Sequence, residues 1–178
     1  MSIRTAEAHD AAALARLINA AFVVEAFFKI GDRTSADEVA ALMKAGGEFL
    51  VLEGLPRQSG EAGKTGTGTG IGTGTGTGTG TLTGCVYLKC RGERAYFGML
   101  SIDPTRQRQG AGRLLVDAVE SRARERGCRF MDLHIVNLRE ELIPYYRRLG
   151  YAEGQTLPFS EPSRASKPCF FIVMTKSL

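Results

Sequence analysis

The sequence predicts an α/β protein built around a sheet of mixed strand direction. Apolar residues recur at helical spacing in some segments and form short β-branched or aromatic runs in others. Three strand-like runs follow one another before the longest helix, and helices and strands then alternate. The 178 residues are 43% hydrophobic and 24% charged, a balance that supports one compact domain with its own core.

The first elements are a short strand at 3–5 and a helix at 10–22. Four large apolar residues recur through that helix at helical spacing: Leu14, Leu17, Ile18 and Phe22. Asp10 stands where an N-cap residue is expected. A second helix follows Ser35, because Ser35 and Glu38 form a capping-box pattern ahead of an apolar stripe.

Three strands follow, at 48–53, 82–90 and 94–102. The first two are separated by residues 56–81, which alternate glycine with threonine over much of their length. Such a segment brings almost no apolar area and cannot build a core. We interpret it as a low-complexity hairpin insertion within a single domain that spans residues 1–178.

The rest of the chain continues the alternation of helices and strands. The predicted elements are a helix at 110–126, a strand at 130–136, a helix at 140–149, a strand that opens at Tyr151 and a last strand at 169–175.

Composition narrows the class of protein. No apolar stretch approaches the ~20 residues of a membrane span, and the first ten residues lack a signal-peptide pattern, so we expect a cytoplasmic protein. Four cysteines without a CxxC pair, together with only two histidines, predict no metal site. The net charge of +4 fits either a polyanion such as nucleic acid or a phosphate-bearing cofactor.

The most informative segment is 103–113, Asp-Pro-Thr-Arg-Gln-Arg-Gln-Gly-Ala-Gly-Arg, between a strand and the long helix. Gly110 and Gly112 allow a tight turn without a Cβ in the way. The first N–H groups of a helix lack partners, and the helix dipole is positive at that end. Three arginines add charge there: Arg106, Arg108 and Arg113. The ligand that this segment predicts is a pyrophosphate.

Here the sequence resembles the GCN5-related N-acetyltransferase (GNAT) superfamily. The signature of that family is Gln or Arg, two residues, Gly, one residue, then Gly or Ala, and Gln107, Gly110 and Gly112 match it. Residues 145–151, Tyr-Tyr-Arg-Arg-Leu-Gly-Tyr, resemble the downstream tyrosine segment of the family. The resemblance covers residues 96–151. It implies the GNAT fold, a mixed sheet with a splay between two parallel strands and helices on both faces.

The resemblance also implies acetyl-CoA as co-substrate and a set of residues that bind it. These residues are Leu100, Ile102, Gln107, Arg108, Gln109, Gly110, Ala111, Gly112, Arg113, Asn137 and Arg139. Leu100 and Ile102 are expected to offer backbone groups to the pantetheine arm. Arg139 stands where many relatives have an Asn, and Asn137 is close enough in sequence to replace it.

Two residues are candidates for the chemistry. By the resemblance, Tyr146 matches the general acid of the family, and the alternative is a core tyrosine packed under the cofactor. His134 is a candidate base, because an imidazole with a pKa of about 6.5 accepts a proton near neutrality. The alternative for His134 is a strand histidine with a structural role.

The segment 22–33 joins the first two helices and is expected to shape the acceptor site. Within that segment, the acids Glu25 and Asp32 are candidates to hold a cationic acceptor and the rings of Phe27 and Phe28 to form an apolar wall, with core packing as the alternative.

The predicted function is N-acetylation of a primary amine, in a small molecule or a protein, by direct attack on the thioester of acetyl-CoA. The alternative is a non-catalytic module that binds acyl-CoA as a sensor or regulator. We expect neither nucleic acid nor a membrane as partner. The sequence leaves open the identity of the amine and the oligomeric state, with a homodimer as one option.

Overall fold

The computed structural model describes residues 2–54 and 81–178, which form a seven-stranded sheet and four α-helices. In chain order the elements are β1 (Ser2–Thr5), α1 (Ala11–Phe22), α2 (Ala36–Lys44), β2 (Glu48–Gly54), β3 (Thr81–Arg91), β4 (Arg94–Ile102), α3 (Ala111–Glu125), β5 (Phe130–Val136), α4 (Leu142–Arg148), β6 (Ala152–Pro158) and β7 (Phe170–Ser177). Every helix and strand predicted from the sequence is present, with ends shifted by two residues or fewer. The predicted hairpin insertion lies outside the described residues apart from Thr81, and it stays a prediction.

The strand order is β1-β2-β3-β4-β5-β7-β6, and β4 and β5 are the parallel pair. Every other neighbouring pair is antiparallel. The parallel pairing is short, because it joins only Arg94–Tyr96 to Phe130–Asp132. Beyond Tyr96 the two strands separate, so the predicted splay is present and the edge of β4 that faces β5 is open over residues 97–102.

A bulge in β4 bends this strand at the splay. Cys85 of β3 pairs with Ser101, but Tyr87 pairs with Gly98, so β4 carries an extra residue between these two pairs. Met99 adopts a φ of +51°, which is unusual for a residue with a side chain. A bulge bends its strand and increases the local twist. The residue types in β4 give no sign of it, since the left-handed position is occupied by Met99 and not by a glycine.

Helices cover both faces of the sheet, as the strand alternation of β2 demonstrates. Leu50 and Leu52 belong to the core beneath α3, whereas Phe49 and Val51 belong to a second core beneath α1 and α2. Successive residues of a strand point to opposite faces. Two separate apolar cores therefore hold two layers of helix against one sheet.

The connection between α1 and α2 is held in place by the segment that precedes β7. The backbone N–H of Ile30 donates to the carbonyl of Arg164 at 2.8 Å, and the N–H of Ser166 donates to the carbonyl of Phe28 at 2.7 Å. The Lys29 ammonium, only 3% exposed, lies 2.9 Å from the Glu161 carboxylate. Phe28 itself is fully buried. These contacts fix the connection, residues 23–33, against the segment that precedes β7.

Two helix starts bear on the sequence predictions. The Ser35 and Glu38 side chains accept each other's backbone N–H at 3.2 and 3.1 Å, so the predicted capping box is confirmed. The Asp10 side chain does not cap α1. Its carboxylate accepts the N–H of Glu7 and pairs with Arg4 at 2.7 Å instead.

Among the described helices, none has the length and apolar character needed to cross a bilayer.

Candidate active site

A cavity of about 500 Å³ opens where β4 and β5 separate. Eleven of the thirteen predicted site residues line it. They are Leu100, Ile102, Gln107, Arg108, Gly110, Ala111, Gly112, Arg113, His134, Arg139 and Tyr146. Gln109 and Asn137 lie outside the lining. Residues that are distant in sequence are thus brought together by the splay.

One end of the cavity is the start of α3. The helix begins at Ala111, and Gly110 precedes it with a φ of +78°, a left-handed conformation that glycine adopts without strain. No side chain caps this end. The first amides of α3, at Ala111, Gly112 and Arg113, therefore have no intrahelical acceptor, and the helix dipole adds positive charge. This end of the cavity is suited to an anion.

The side chains around this helix start strengthen its positive character. Arg108 is exposed and has a φ of +65°, so its backbone is held in a conformation that side chains rarely adopt. Arg113 lies 2.9 Å from Asp117 on the next turn of α3, and both groups are about half exposed. The Gln107 amide donates to the carbonyl of Ile102 at 3.4 Å. That bond ties the loop back to the end of β4.

The middle of the cavity is formed by the open edge of β4. Gly98, Met99 and Leu100 line it, just past the last residues that pair with β5. Unpaired backbone at a strand edge is available to a ligand that binds like an added strand. The carboxamide oxygen of Asn137 accepts the N–H of Phe170 at 2.9 Å. That bond fixes the beginning of β7.

His134 lies on β5, where it pairs with Val173 of β7. Its ring centroid is 4.8 Å from that of Tyr96 and 5.6 Å from that of Phe171. Burial among these rings lowers the pKa of His134 below its ordinary value, and Asp132 opposes that shift. The imidazole is therefore neutral at pH 7 and able to accept a proton.

Tyr146 lies on α4 and is only 7% exposed. Its ring packs near the rings of Phe97, Tyr145 and Tyr151, at 6.0, 5.0 and 5.9 Å between centroids. Burial raises the pKa of the Tyr146 phenol. Its hydroxyl donates to no other group of the described residues, so it keeps a proton that it can donate to a ligand in the cavity.

Tyr96 is a cavity residue that the sequence interpretation missed. It lines the cavity beside His134, and burial raises the pKa of its phenol. Its hydroxyl lies over Gly98, where an added Cβ would come within 2.6 Å of it. The sequence already indicated that Tyr96 and Gly98 are neighbours, because residues two apart on one strand share a face.

The far end of the cavity carries charged side chains from the α1–α2 connection. Glu25 and Arg33 line it together with Arg139, and Glu25 is 7% exposed. One carboxylate oxygen of Glu25 accepts from Arg139 at 3.3 Å, while Oε2 is buried and accepts no hydrogen bond from the described residues. Burial raises the pKa of Glu25, against the charges of Arg33, Arg139 and Lys29.

The other acceptor-side candidates are distributed differently. Phe28 is a core residue that packs against Phe159, at 6.3 Å between ring centroids, and it does not line the cavity. Phe27 is exposed beneath the Lys167 ammonium, and Asp32 borders a smaller adjacent pocket. Within the described part of the chain, no three His, Cys, Asp or Glu side chains form a group that could hold a metal ion.

Comparison with known proteins agrees with this geometry. The model of the acetyltransferase (GNAT) family matches residues 67–151, the stretch that carries the α3 loop, His134 and Tyr146. Enzymes of this family use acetyl-CoA as co-substrate. No curated protein matches the chain with statistical significance.

Several solved structures share the fold. The ribosomal-protein-S18-alanine N-acetyltransferase of Escherichia coli superposes with a TM-score of 0.68 at 17% identity, covering 99% of this chain and 92% of that one. The ribosomal-protein-alanine N-acetyltransferase of Brucella melitensis gives 0.67 at 19% identity, with 100% of both chains covered. The Salmonella typhimurium protein yncA, solved with its cofactor acetyl-CoA, gives 0.66 at 20% identity over 100% and 94%. The predicted fold is confirmed, and residues 67–151 match the model of the acetyltransferase (GNAT) family.

Proposed function

We propose that the protein transfers the acetyl group of acetyl-CoA to a primary amine by direct attack of the amine on the thioester. The observation that carries this proposal is the continuity of one cavity. It runs from the uncapped start of α3, past the open edge of β4, to His134 and Tyr146. Each part matches one requirement of the reaction.

The donor end suits the diphosphate of acetyl-CoA. The amides of Ala111, Gly112 and Arg113 lack helical acceptors, and Arg108 adds charge beside them. At Gly110 an added Cβ would have no atom within 4 Å, so space is available against the backbone. The open edge of β4 offers main-chain groups to the amides of the pantetheine arm. The residues present therefore fit this co-substrate.

The chemistry begins with a neutral amine, whose nitrogen attacks the thioester carbonyl carbon. As the C–N bond forms and the C–S bond breaks, the thiolate leaves and the nitrogen loses a proton. A lysine amine must first lose a proton at about 4.6 kcal/mol at pH 7, whereas an α-amine needs only about 1 to 1.4 kcal/mol. An α-amine therefore demands less of a base than a lysine does.

In this proposal, the Tyr146 hydroxyl stabilises the leaving thiolate. Even an ordinary phenol would lose roughly 2 kcal/mol in giving its proton to a thiolate, and burial raises the pKa of Tyr146 further. A hydrogen bond to the developing negative charge is therefore favoured over full proton transfer. The products are the N-acetylated amine and the free thiol of coenzyme A.

His134 is the proposed proton acceptor, directly or through water. Its lowered pKa keeps the ring mostly unprotonated at neutral pH, which is the form that accepts a proton. The same shift makes it a weak base. Such a base can accept a proton from the ammonium that forms on the attacking nitrogen, which is strongly acidic. It is too weak to deprotonate a free lysine ammonium.

The competing function is a binding module that senses acyl-CoA without turnover. An amine library assayed with acetyl-CoA, reading out the free thiol, separates the two. We expect turnover with at least one amine class and loss of that turnover in Tyr146→Phe with acetyl-CoA affinity retained. Tight acetyl-CoA binding without turnover of any amine would favour the sensor. A cytoplasmic location and a homodimer stay predictions.

A further inference from the structure

Arg33 is a charged side chain that lines the cavity. Among the described residues, no carboxylate lies within ion-pair distance of it, and its Nε is buried without a hydrogen-bond acceptor. A guanidinium stays charged at any physiological pH. A buried donor without an acceptor destabilises the protein, so native structures rarely keep one unless it has another role.

The position of Arg33 is fixed by its neighbours. The Asn19 carboxamide donates to the carbonyl of Thr34 at 2.8 Å and accepts the N–H of Thr34 at 3.0 Å. Thr34 is buried, and the guanidinium of Arg33 lies 5.1 Å from the ring centroid of Phe22. The hydrogen bonds of Thr34 therefore fix the backbone next to Arg33, and the ring of Phe22 packs against its guanidinium.

Arg33 also lies close to the centre where the acetyl group is transferred. Arg33, Tyr96 and His134 line the same cavity, and the charge of Arg33 opposes the rise that burial causes in the pKa of Tyr96. The ring of Tyr96 is 4.8 Å from that of His134. An anion held by Arg33 would therefore share the cavity with the proposed proton acceptor.

Glu25 lines the same cavity, and only one of its two carboxylate oxygens is engaged. One oxygen of Glu25 accepts from Arg139 at 3.3 Å, and Arg139 also pairs with Glu141. The second oxygen of Glu25 is buried without a hydrogen bond from the described residues. The same wall thus presents one unpartnered positive group, Arg33, and one unpartnered carboxylate oxygen, which together match a small zwitterion.

We infer that the acceptor is an α-amino acid, whose carboxylate binds Arg33 while its amine faces the thioester beside His134. The inference rests on the proposed acetyl transfer and adds the substrate class. Phe22, Val24 and Phe171 also line the cavity and are apolar, so we expect the side chain of the amino acid to be apolar as well.

A matched pair of substrates tests the role of the carboxylate. Leucine and leucinamide share one side chain and differ in the carboxylate, and kcat/KM is measured for both with the parent, Arg33→Gln and Arg33→Lys. Intrinsic amine reactivity cancels when the leucine-to-leucinamide ratio is compared between proteins. We expect Arg33→Gln to lower that ratio about 10- to 100-fold, the effect of losing one charge-assisted hydrogen bond. Arg33→Lys should recover part of the loss.

The controls separate failure of this inference from failure of the proposed function. Arg16→Gln removes an exposed arginine of α1 outside the cavity and should leave the ratio unchanged. Thermal unfolding and acetyl-CoA calorimetry check that Arg33→Gln folds and binds the donor. Turnover of leucinamide or a peptide amine with an unchanged ratio in Arg33→Gln would overturn the amino-acid assignment and leave acetyl transfer intact. No turnover of any amine would overturn both.

Discussion

The ring of His134 lies 4.8 Å from the ring of Tyr96, centroid to centroid, across the point where β4 and β5 separate. The two residues come from the two parallel strands, and Phe171 of β7 closes the other side of the imidazole at 5.6 Å. This aromatic surrounding lowers the pKa of His134 through loss of solvent. In the proposed reaction, this is the region of the cavity in which the amine loses its proton.

Replacing His134 by Ala should change the shape of the pH–rate profile. In the parent, kcat/KM falls below the pKa of the amine and falls more steeply below the pKa of His134, which lies under its ordinary value of about 6.5. At low pH both the amine and the imidazole are protonated, so the losses multiply. His134→Ala should lower the rate at pH 7 by about 10²-fold and lack the steeper limb.

The matched control for this profile is His9→Ala. His9 is exposed and lies outside the cavity, so its replacement should leave the profile unchanged. A His134→Ala profile parallel to that of the parent at every pH would remove His134 from the mechanism.

Tyr146→Phe removes one hydroxyl and keeps the buried ring. We expect kcat to fall about 10²-fold, because the leaving thiolate loses its donor, while the acetyl-CoA dissociation constant changes less than about threefold. Tyr87→Phe is the control, since Tyr87 is equally buried but lies in the core beneath α1 and α2. Stopped-flow or steady-state assays with calorimetry measure both quantities, and a wild-type kcat in Tyr146→Phe would exclude the role proposed for the phenol.

Gly110→Asp and Gly110→Asn separate charge from backbone strain at the start of α3. Both side chains tolerate the left-handed φ of +78°, and a Cβ here meets no neighbour within 4 Å. The two variants should therefore unfold alike. Only Gly110→Asp sets a carboxylate against the diphosphate, so we expect its acetyl-CoA affinity to be at least about 10-fold weaker than that of Gly110→Asn. Equal affinities in calorimetry would argue against a phosphate at this turn.

The buried contacts of Glu120 on α3 allow a test of stability. Its buried carboxylate accepts from Lys176 at 2.8 Å and from the Tyr151 hydroxyl at 2.8 Å, while the more exposed Arg124 lies at 3.5 Å. Lys176→Met leaves a buried acid short of its main cation and should lower the free energy of unfolding by about 3 kcal/mol. Arg124→Met should change it by less than about 1 kcal/mol. Equal losses in urea titrations would contradict this ranking.

The parts of the site that the sequence predicted are those built from neighbouring residues. The start of α3 needs a run of backbone amides and flexible glycines, and a single segment supplies both, so Gln107 and Gly110 stand out. His134 and Tyr146 lie on elements whose periodicity is visible. The ends of these elements were predicted to within two residues because the helices and strands follow ordinary apolar patterns.

The parts that were missed depend on contacts distant in sequence. Glu25 and Arg139 were each candidates, but their contact, which joins residues 114 apart, was not predicted. Arg33 was not a candidate, and its position depends on the segment before β7 that holds the α1–α2 connection. The bulge at Met99 leaves no trace in residue type, because tertiary pairing with β3 imposes the positive φ. The bond from the N–H of Phe170 to the carboxamide oxygen of Asn137 also joins distant residues, and a role of Asn137 toward the cofactor arm stays a prediction.

A crystal structure of the protein with coenzyme A tests the central claim most directly. We predict diphosphate oxygens within about 3.2 Å of the amides that begin α3 at Ala111 and Gly112. We also predict the coenzyme A sulfur in the gap between β4 and β5, within about 4 Å of the Tyr146 hydroxyl. A diphosphate bound away from the α3 start, or a sulfur outside this gap, would contradict the account.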